Sequence, residues 1–377
     1  MHLLKIRTIL QVQYIDLRER YNSDVPTIAG ILDMIEIIFP SFSYGWLFDE
    51  LKGRLQRELD FLEEAKNGER CARDLSCLDY VHVPKVHRDS CSHRVLTTEF
   101  IDGIKINDTE TIGRAGIDLA DVDRKMVSAF AQQLFHTGFV HADPHPGNLL
   151  VRKKGDGAEI VILDHGLYEN LPPGASAALS SMWQAVVRND HAVMKRSAVE
   201  LGFPAELYRF CCIVITERYV RQSAEEAAGG ATDPISRFMN EDGPKKFDVK
   251  KFELLPEEEK AEIRRDIKGV HDEVLNLFNS FPPHLLLVMR NLRLIRAIVY
   301  DHASGVNRYR EMALTAAKGA FAVAPGAGLA AVARARWGRL VYDARLLCDG
   351  VVMAVARVVL KFLVALGLVP AEAGQLL

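Results

Sequence analysis

Three oxygen-bearing side chains stand at spacings that suit a hard divalent cation. Asp143 and Asn148 lie in His141-Ala142-Asp143-Pro144-His145-Pro146-Gly147-Asn148, and Asp164 follows sixteen residues after the Asn in Asp164-His165-Gly166. Between them Leu149-Leu150-Val151 is an apolar run, Lys153-Lys154-Gly155-Asp156-Gly157 is turn chemistry, and Ile160-Val161-Ile162-Leu163 is a second run. That pattern predicts a hairpin. In an antiparallel pair the start of one strand lies beside the end of the other. Asn148 and Asp164 are therefore expected at one end of the ribbon, with Asp143 on the loop before it. Mg²⁺ takes oxygen ligands, is usually held by one or two carboxylates, and completes its shell with water and substrate phosphate.

The order Asp-x4-Asn, strand pair, Asp-x-Gly is the one used by phosphotransferases of the protein-kinase type. In that reading Asp143 orients or deprotonates the acceptor, while Asn148 and Asp164 hold the metal. Either triplet alone would say little, but the ordered set with a hairpin between its halves is a strong signal. His-x-Asp-x-His could also be a transition-metal cluster of a metallohydrolase, since imidazole and carboxylate bind Zn²⁺ or Fe²⁺. Pro144 and Pro146 flank His145, however, and Asn148 and Asp164 would then have no assigned role. His141 and His145 read better as loop braces that bond backbone groups, and His165 as a packing residue.

The motifs HADPHPGN and LDHG resemble the UbiB/AarF/ADCK family of atypical kinases, and within it the mitochondrial members with His in the metal-site triplet. The likeness runs from about Val12 to the C-terminal region. It implies ATP and Mg²⁺ as cofactors, a lipid or quinone-related ligand, and a mitochondrial, membrane-associated setting linked to coenzyme Q. It also implies three nucleotide-side positions. Glu58-Leu59-Asp60-Phe61-Leu62-Glu63-Glu64-Ala65 is similar to the family's acidic helix, whose Glu, here Glu64, pairs with a strand lysine. Glu99-Phe100-Ile101-Asp102-Gly103 resembles the linker between kinase lobes, so that Glu99 and Ile101 would offer backbone groups to the adenine edge. Val12-Gln13-Tyr14 matches the family's Val-Lys-Val-Gln-Tyr strand, but Gln11 occupies the lysine position. Gln11 is neutral and cannot offset phosphate charge. The family's Lys-x-Gly-Gln segment and Ala-rich nucleotide loop would precede Met1, and neither G-x-G-x-x-G nor Walker A occurs in the chain. An N-terminally truncated product is expected.

With 377 residues the chain can bury a large core and divide into two lobes. A formal charge of −3 and a pI near 6.5 give no reason to expect nucleic acid. Six scattered cysteines without a C-x2-C pair read as reduced packing residues. No secretory signal stands at the N-terminus, and no Arg- and Ser-rich presequence either.

Taken in order, residues 6–14 read as a strand, 25–39 as a helix, and roughly 44–72 as a longer helix with an acidic face. Strands are expected at 81–86 and 94–100, around a turn at Asp89-Ser90. A helix over about 122–136 carries the stripe Val122, Met126, Phe130 and Leu134, and breaks at Thr137-Gly138-Phe139. Residues 174–201 read as helical, 223–234 as a mobile loop, 241–260 as a solvated connector, and 257–301 as helices interrupted by Pro282-Pro283. Ala142 stands where protein kinases place the arginine that receives an activation-loop phosphate, so regulation by that route is not expected. The run at 350–369 holds twelve Leu, Val and Phe residues. At about −0.3 to −0.6 kcal/mol each for insertion they are offset by about +2.5 to +3.5 for each of Arg357 and Lys361. A helix lying on a membrane surface and one packed on the domain fit that balance equally well; the family's membrane association favours the surface.

The expected fold is α+β and protein-kinase-like: an incomplete small lobe over 1–100, a mostly helical large lobe over 101–310, and Ala-rich and apolar helices over 311–377. Three functions stay open. One is an ATP- and Mg²⁺-dependent kinase or ATPase. Another is a catalytically silent module that binds partners or lipids. The third is a small-molecule phosphotransferase of the aminoglycoside or choline kinase type.

Overall fold

The structure is a computed structural model that describes residues 7–38, 59–218, 282–318 and 335–348, with a few single positions beside them. Strand β1 (Thr8–Val12) is exposed throughout and pairs antiparallel with β3 (Val95–Glu99), setting Gln11 opposite Leu96. Helix α1 (Leu17–Ile38) begins earlier than its apolar spacing suggests and carries Pro26 inside it. Helix α2 (Phe61–Asp74) starts at Asp60, whose carboxylate accepts the Leu62 amide at 3.0 Å. The unbroken helix expected over 44–72 is thus interrupted at Leu59 and Asp60. An aspartate that satisfies an orphan amide of the next turn favours a helix start over a helix interior.

The strands expected at 81–86 and 94–100 do form, but mainly with other partners. Strand β2 (Val81–His82) runs parallel to β7 (Gly157–Ile162), and β3 turns to β1. A single bridge, Val86 to Thr98, joins the two stretches. Strands β4 (Ile104–Lys105) and β6 (Leu149–Lys154) complete a four-stranded sheet of order β2-β7-β6-β4. Strands β5 (Phe139–His141) and β8 (Tyr168–Asn170) make a separate antiparallel pair beside it.

The helices pack around this frame. Helix α3 (Thr109–Arg114) is short and capped by Asp108. Helix α4 (Leu119–Gln132) is capped by Asp118, and its stripe Val122, Met126 and Phe130 is fully buried together with Leu134 beyond its end. The chain leaves through a wide turn over Gln133–Thr137 that closes at Gly138, where φ is +67°. A left-handed backbone there costs least without a Cβ. The helix expected over 174–201 is two helices, α5 (Ala175–Arg188) and α6 (His191–Glu200). Asn189 turns left-handed at φ +54°, and Asp190 caps the second helix by accepting the Val193 amide at 3.1 Å. Asn is among the few side chains that tolerate this conformation. Helix α7 (Tyr208–Thr216) follows, and α8 (Pro283–His302) starts with Pro283 in its first turn, where a missing N–H costs nothing. Helix α9 (Arg308–Ala316) packs on α4 and α5. The segments 223–234, 241–260 and 257–281, and all of 350–369 except Val351, lie outside the described residues. Among the described residues no helix is long and apolar enough to cross a membrane.

A buried polar group ties α8 to α4. His302 Nδ1 lies 2.7 Å from Asp123 Oδ1, and His302 Nε2 donates to the Ile106 carbonyl at 2.7 Å. Ser304 bonds the other oxygen of Asp123. Both ring nitrogens face acceptors, which suits the imidazolium. Burial alone would lower the His302 pKa, but the Asp123 bond and charge outweigh it and hold it above the ordinary value. Replacing Asp123 by Ala should destabilise the fold by about 3–5 kcal/mol, as for other buried pairs that lose one partner. A histidine with a raised pKa stabilises fully below about pH 6.5 and loses that contribution as pH climbs through the folded value. In denaturant unfolding the gap between wild type and Asp123→Ala should be widest near pH 6 and narrow towards pH 9. A gap that stays constant with pH would contradict the charged pair.

Candidate active site

The hairpin has the register that the sequence suggests. Leu149 pairs with Ile162, and successive pairs run to Lys154 with Gly157, where Gly155 turns the chain at φ +58°. The ladder continues one step further, because the Leu163 amide donates to the Asn148 carbonyl at 2.9 Å. Leu149, Val151, Ile160, Val161 and Ile162 are fully buried, so core packing fixes this register. Asn148 therefore stands next to the strand end that leads into Asp164. The tight turn Pro146–Asn148 brings Asp143 back towards the same end, and Asn148 Nδ2 donates to the Asp143 carbonyl at 3.1 Å.

That bond commits the amide nitrogen of Asn148 and leaves its Oδ1 without a protein partner among the described residues. Asp164 Oδ1 accepts the Gly166 amide at 2.8 Å, which sets the carboxylate against its own turn. The donors brought together are an amide oxygen and a carboxylate, an oxygen-only set that fits Mg²⁺ completed by phosphate and water. Among the described residues no group of three or more His, Cys, Asp or Glu is placed to hold a metal.

The histidines hold the loop. The Asp143 amide donates to His141 Nδ1 at 3.0 Å, and the Gly147 amide donates to His145 Nδ1 at 3.0 Å. His141 is fully buried, and burial pulls its pKa down to about 4, helped by His145 and opposed by the Asp164 backbone. His165 Nε2 donates to the Ile162 carbonyl at 3.1 Å, so Nδ1 accepts from the Tyr168 hydroxyl at 2.9 Å. Burial, with His141 nearby, brings His165 to about 3. Both rings are neutral struts at physiological pH.

Three residues that the sequence reading missed complete the loop's support. Gln133 Oε1 accepts the His141 amide at 3.0 Å, and Asn291 Nδ2 donates to the His141 carbonyl at 2.6 Å. Arg290, next to Asn291 on α8, places a guanidinium nitrogen 2.8 Å from Asp143 Oδ1. Asn291 lies 150 positions from His141 in the chain, and no local pattern announces such a contact.

The nucleotide-side expectations are placed as follows. Glu64 is nearly buried and its Oε1 accepts the His165 amide at 3.5 Å, at the long limit of a hydrogen bond. It stands against the metal-site triplet, and α2 comes close there because Gly68 has no side chain: a Cβ would lie 3.1 Å from the His165 ring. Gln11 is exposed on β1. Glu99 uses its amide to donate to the Lys85 carbonyl at 2.8 Å, while its carboxylate accepts from Lys85 N at 3.1 Å and pairs with His82 Nε2 at 3.0 Å. Burial raises the Glu99 pKa, but those two partners outweigh it and hold the carboxyl below its usual range. The Ile101 side chain is buried.

A family model described as the ABC1 atypical kinase-like domain matches residues 6–198. The chain is 33% identical to a probable serine/threonine-protein kinase, abkD, of Dictyostelium discoideum over 82% of its own length and 41% of that protein's. It is 32% identical to AarF domain-containing protein kinase 1 of Mus musculus, covering 78% of this chain and 52% of the mouse protein. A Drosophila melanogaster AarF domain-containing kinase 1 is 35% identical over 55% of this chain and 40% of its own. The chain thus spans about half the length of these relatives, or less. Among solved structures, a complex of Rv3197 with erythromycin from Mycobacterium tuberculosis matches with a TM-score of 0.45 and 19% identity, over 62% of this chain and 54% of that one.

The bond from Asn291 yields a direct test of the loop's support. Asn291→Ala leaves the buried His141 carbonyl unpaired, which should cost about 1–3 kcal/mol. Thermal unfolding should shift down accordingly, and amide exchange across 141–148 should quicken. Unchanged exchange in that loop would show that Gln133 and the β5–β8 pairing suffice without Asn291.

Proposed function

This chain belongs to the ABC1 (UbiB/AarF/ADCK) family of atypical kinase-like proteins, and on that premise we propose that it is an ATP- and Mg²⁺-dependent phosphotransferase or ATPase. The observation that carries the reading is the hairpin register, which sets Asn148 and Asp164 at one end with Asp143 bonded beside them. Asn148 Oδ1 and Asp164 are the groups that would hold the metal. Asp143 is the acceptor-side carboxylate: it positions a hydroxyl or water and takes its proton. Glu64 fixes the metal-site turn through the His165 amide. Backbone groups of Glu99 and Ile101 are assigned to the adenine edge on the family resemblance. Bound Mg²⁺ would supply neutralisation of phosphate charge, which with positioning is most of what in-line phosphoryl transfer requires. The acceptor we propose is a lipid or quinone-related molecule of the mitochondrion, on the family resemblance alone.

A second reading draws support from Gln11. With a neutral, exposed side chain at the strand lysine position, the chain could act as a catalytically silent partner-binding module. Two variants separate the readings. Asp164→Ala should abolish Mg²⁺-dependent nucleotide binding, while Asp143→Asn should keep binding and lower turnover by about a hundredfold or more, the scale of general-base loss. Phosphate-release assays and nucleotide titrations check both. Equal, background turnover in wild type and Asp143→Asn would favour the silent module, and nucleotide affinity unchanged in Asp164→Ala would sink the site assignment.

A further inference from the structure

Arg290 stands where the proposed reaction has an unmet need. Between His141 and Val151 the sequence contains no lysine or arginine, and β1 offers Gln11. Among the described residues, the side chains joined to the hairpin end include Asp143, Asp164 and Glu64, all acidic. A nucleoside triphosphate entering this site brings further negative charge, and one Mg²⁺ cannot offset all of it. Among the described residues, Arg290 is a cation that the fold joins to the site, 2.8 Å from Asp143 Oδ1. Its neighbours on α8 are fixed: Asn291 is buried on the His141 carbonyl, and Leu292 and Val288 are buried in the core. The Arg290 side chain itself is half exposed, so its backbone is held while the guanidinium can pivot.

We propose that Arg290 is a phosphate-binding residue of this site, holding the terminal phosphate of a nucleoside triphosphate from the Asp143 side. The inference rests on the nucleotide-site reading above and adds to it the residue that supplies the charge. A guanidinium offers parallel N–H donors that match two phosphate oxygens, stays charged, and pairs with phosphate as readily as with carboxylate. The Asp143 contact then acts as a parking position. When Arg290 turns to phosphate, Asp143 Oδ1 is released to face the acceptor. A purely bracing arginine would instead stay on Asp143 whatever is bound.

The two roles differ in what they do to ATP and ADP. Arg290→Gln and Arg290→Lys in the full chain are titrated with Mg²⁺ and either a non-hydrolysable ATP analogue or ADP, with thermal unfolding as the control for folding. Loss of a charge-assisted phosphate contact should weaken the triphosphate about ten- to a hundredfold in Arg290→Gln. ADP affinity should stay within about twofold, and Arg290→Lys should recover part of the loss. Equal weakening of both nucleotides, or unchanged triphosphate affinity, would overturn the assignment and leave Arg290 as a brace of Asp143. If wild type binds neither nucleotide, the nucleotide-site reading fails first and this proposal falls with it.

Discussion

One constraint, the register of the β6–β7 hairpin, decides where the candidate site residues emerge. Leu149, Val151, Ile160 and Ile162 are buried in the core and Val161 is buried on the other face of β7, so a slip of one residue would break packing on both sides of the ribbon. The same register fixes which residues emerge at the open end. Asn148 bonds Leu163 through the backbone, and Asp164 follows at once. The chemistry at the site is therefore held by hydrophobic burial along the ribbon more than by any contact between the polar groups themselves. Those groups are then trimmed by short local bonds: Asn148 to the Asp143 carbonyl, Gly166 to Asp164, and Gly147 to His145.

A second layer comes from distant helices. Helix α2 lies against the Asp164–Gly166 turn because Gly68 leaves room for the His165 ring. Helix α8 reaches the other side, with Asn291 on the His141 carbonyl, Arg290 on Asp143, and its far end locked to α4 through His302 and Asp123. One helix thus links the buried His302–Asp123 pair to the charge balance of the candidate site. The neutral, buried histidines fit that scheme. His141 and His165 give the loop rigid acceptors and donors without adding charge beside Asp143 and Asp164.

Most of what was legible in the sequence is local. Alternating turn and apolar runs disclosed the hairpin, whose register brings Asn148 next to the strand end that leads into Asp164. The buried stripe of α4 followed from helical period alone, down to Leu134. Boundaries set by competing side-chain bonds were less legible: Asp60 restarts a helix, and Asn189 with Asp190 divides another. Strand partners were less legible still, since β2 pairs with β7 across a long stretch of chain. Arg290 and Asn291 could not be read at all. On α8 they look like ordinary polar positions, and only the folded chain sets them against the loop of His141 and Asp143.

The most direct measurement is calorimetric titration of ATP into the full chain with Mg²⁺ present, repeated in EDTA. If Asn148 and Asp164 hold the nucleotide through the metal as proposed, binding is saturable at one site with Mg²⁺ and is lost when the cation is removed. Binding that is equally strong in EDTA, or no binding under either condition, would contradict the proposal.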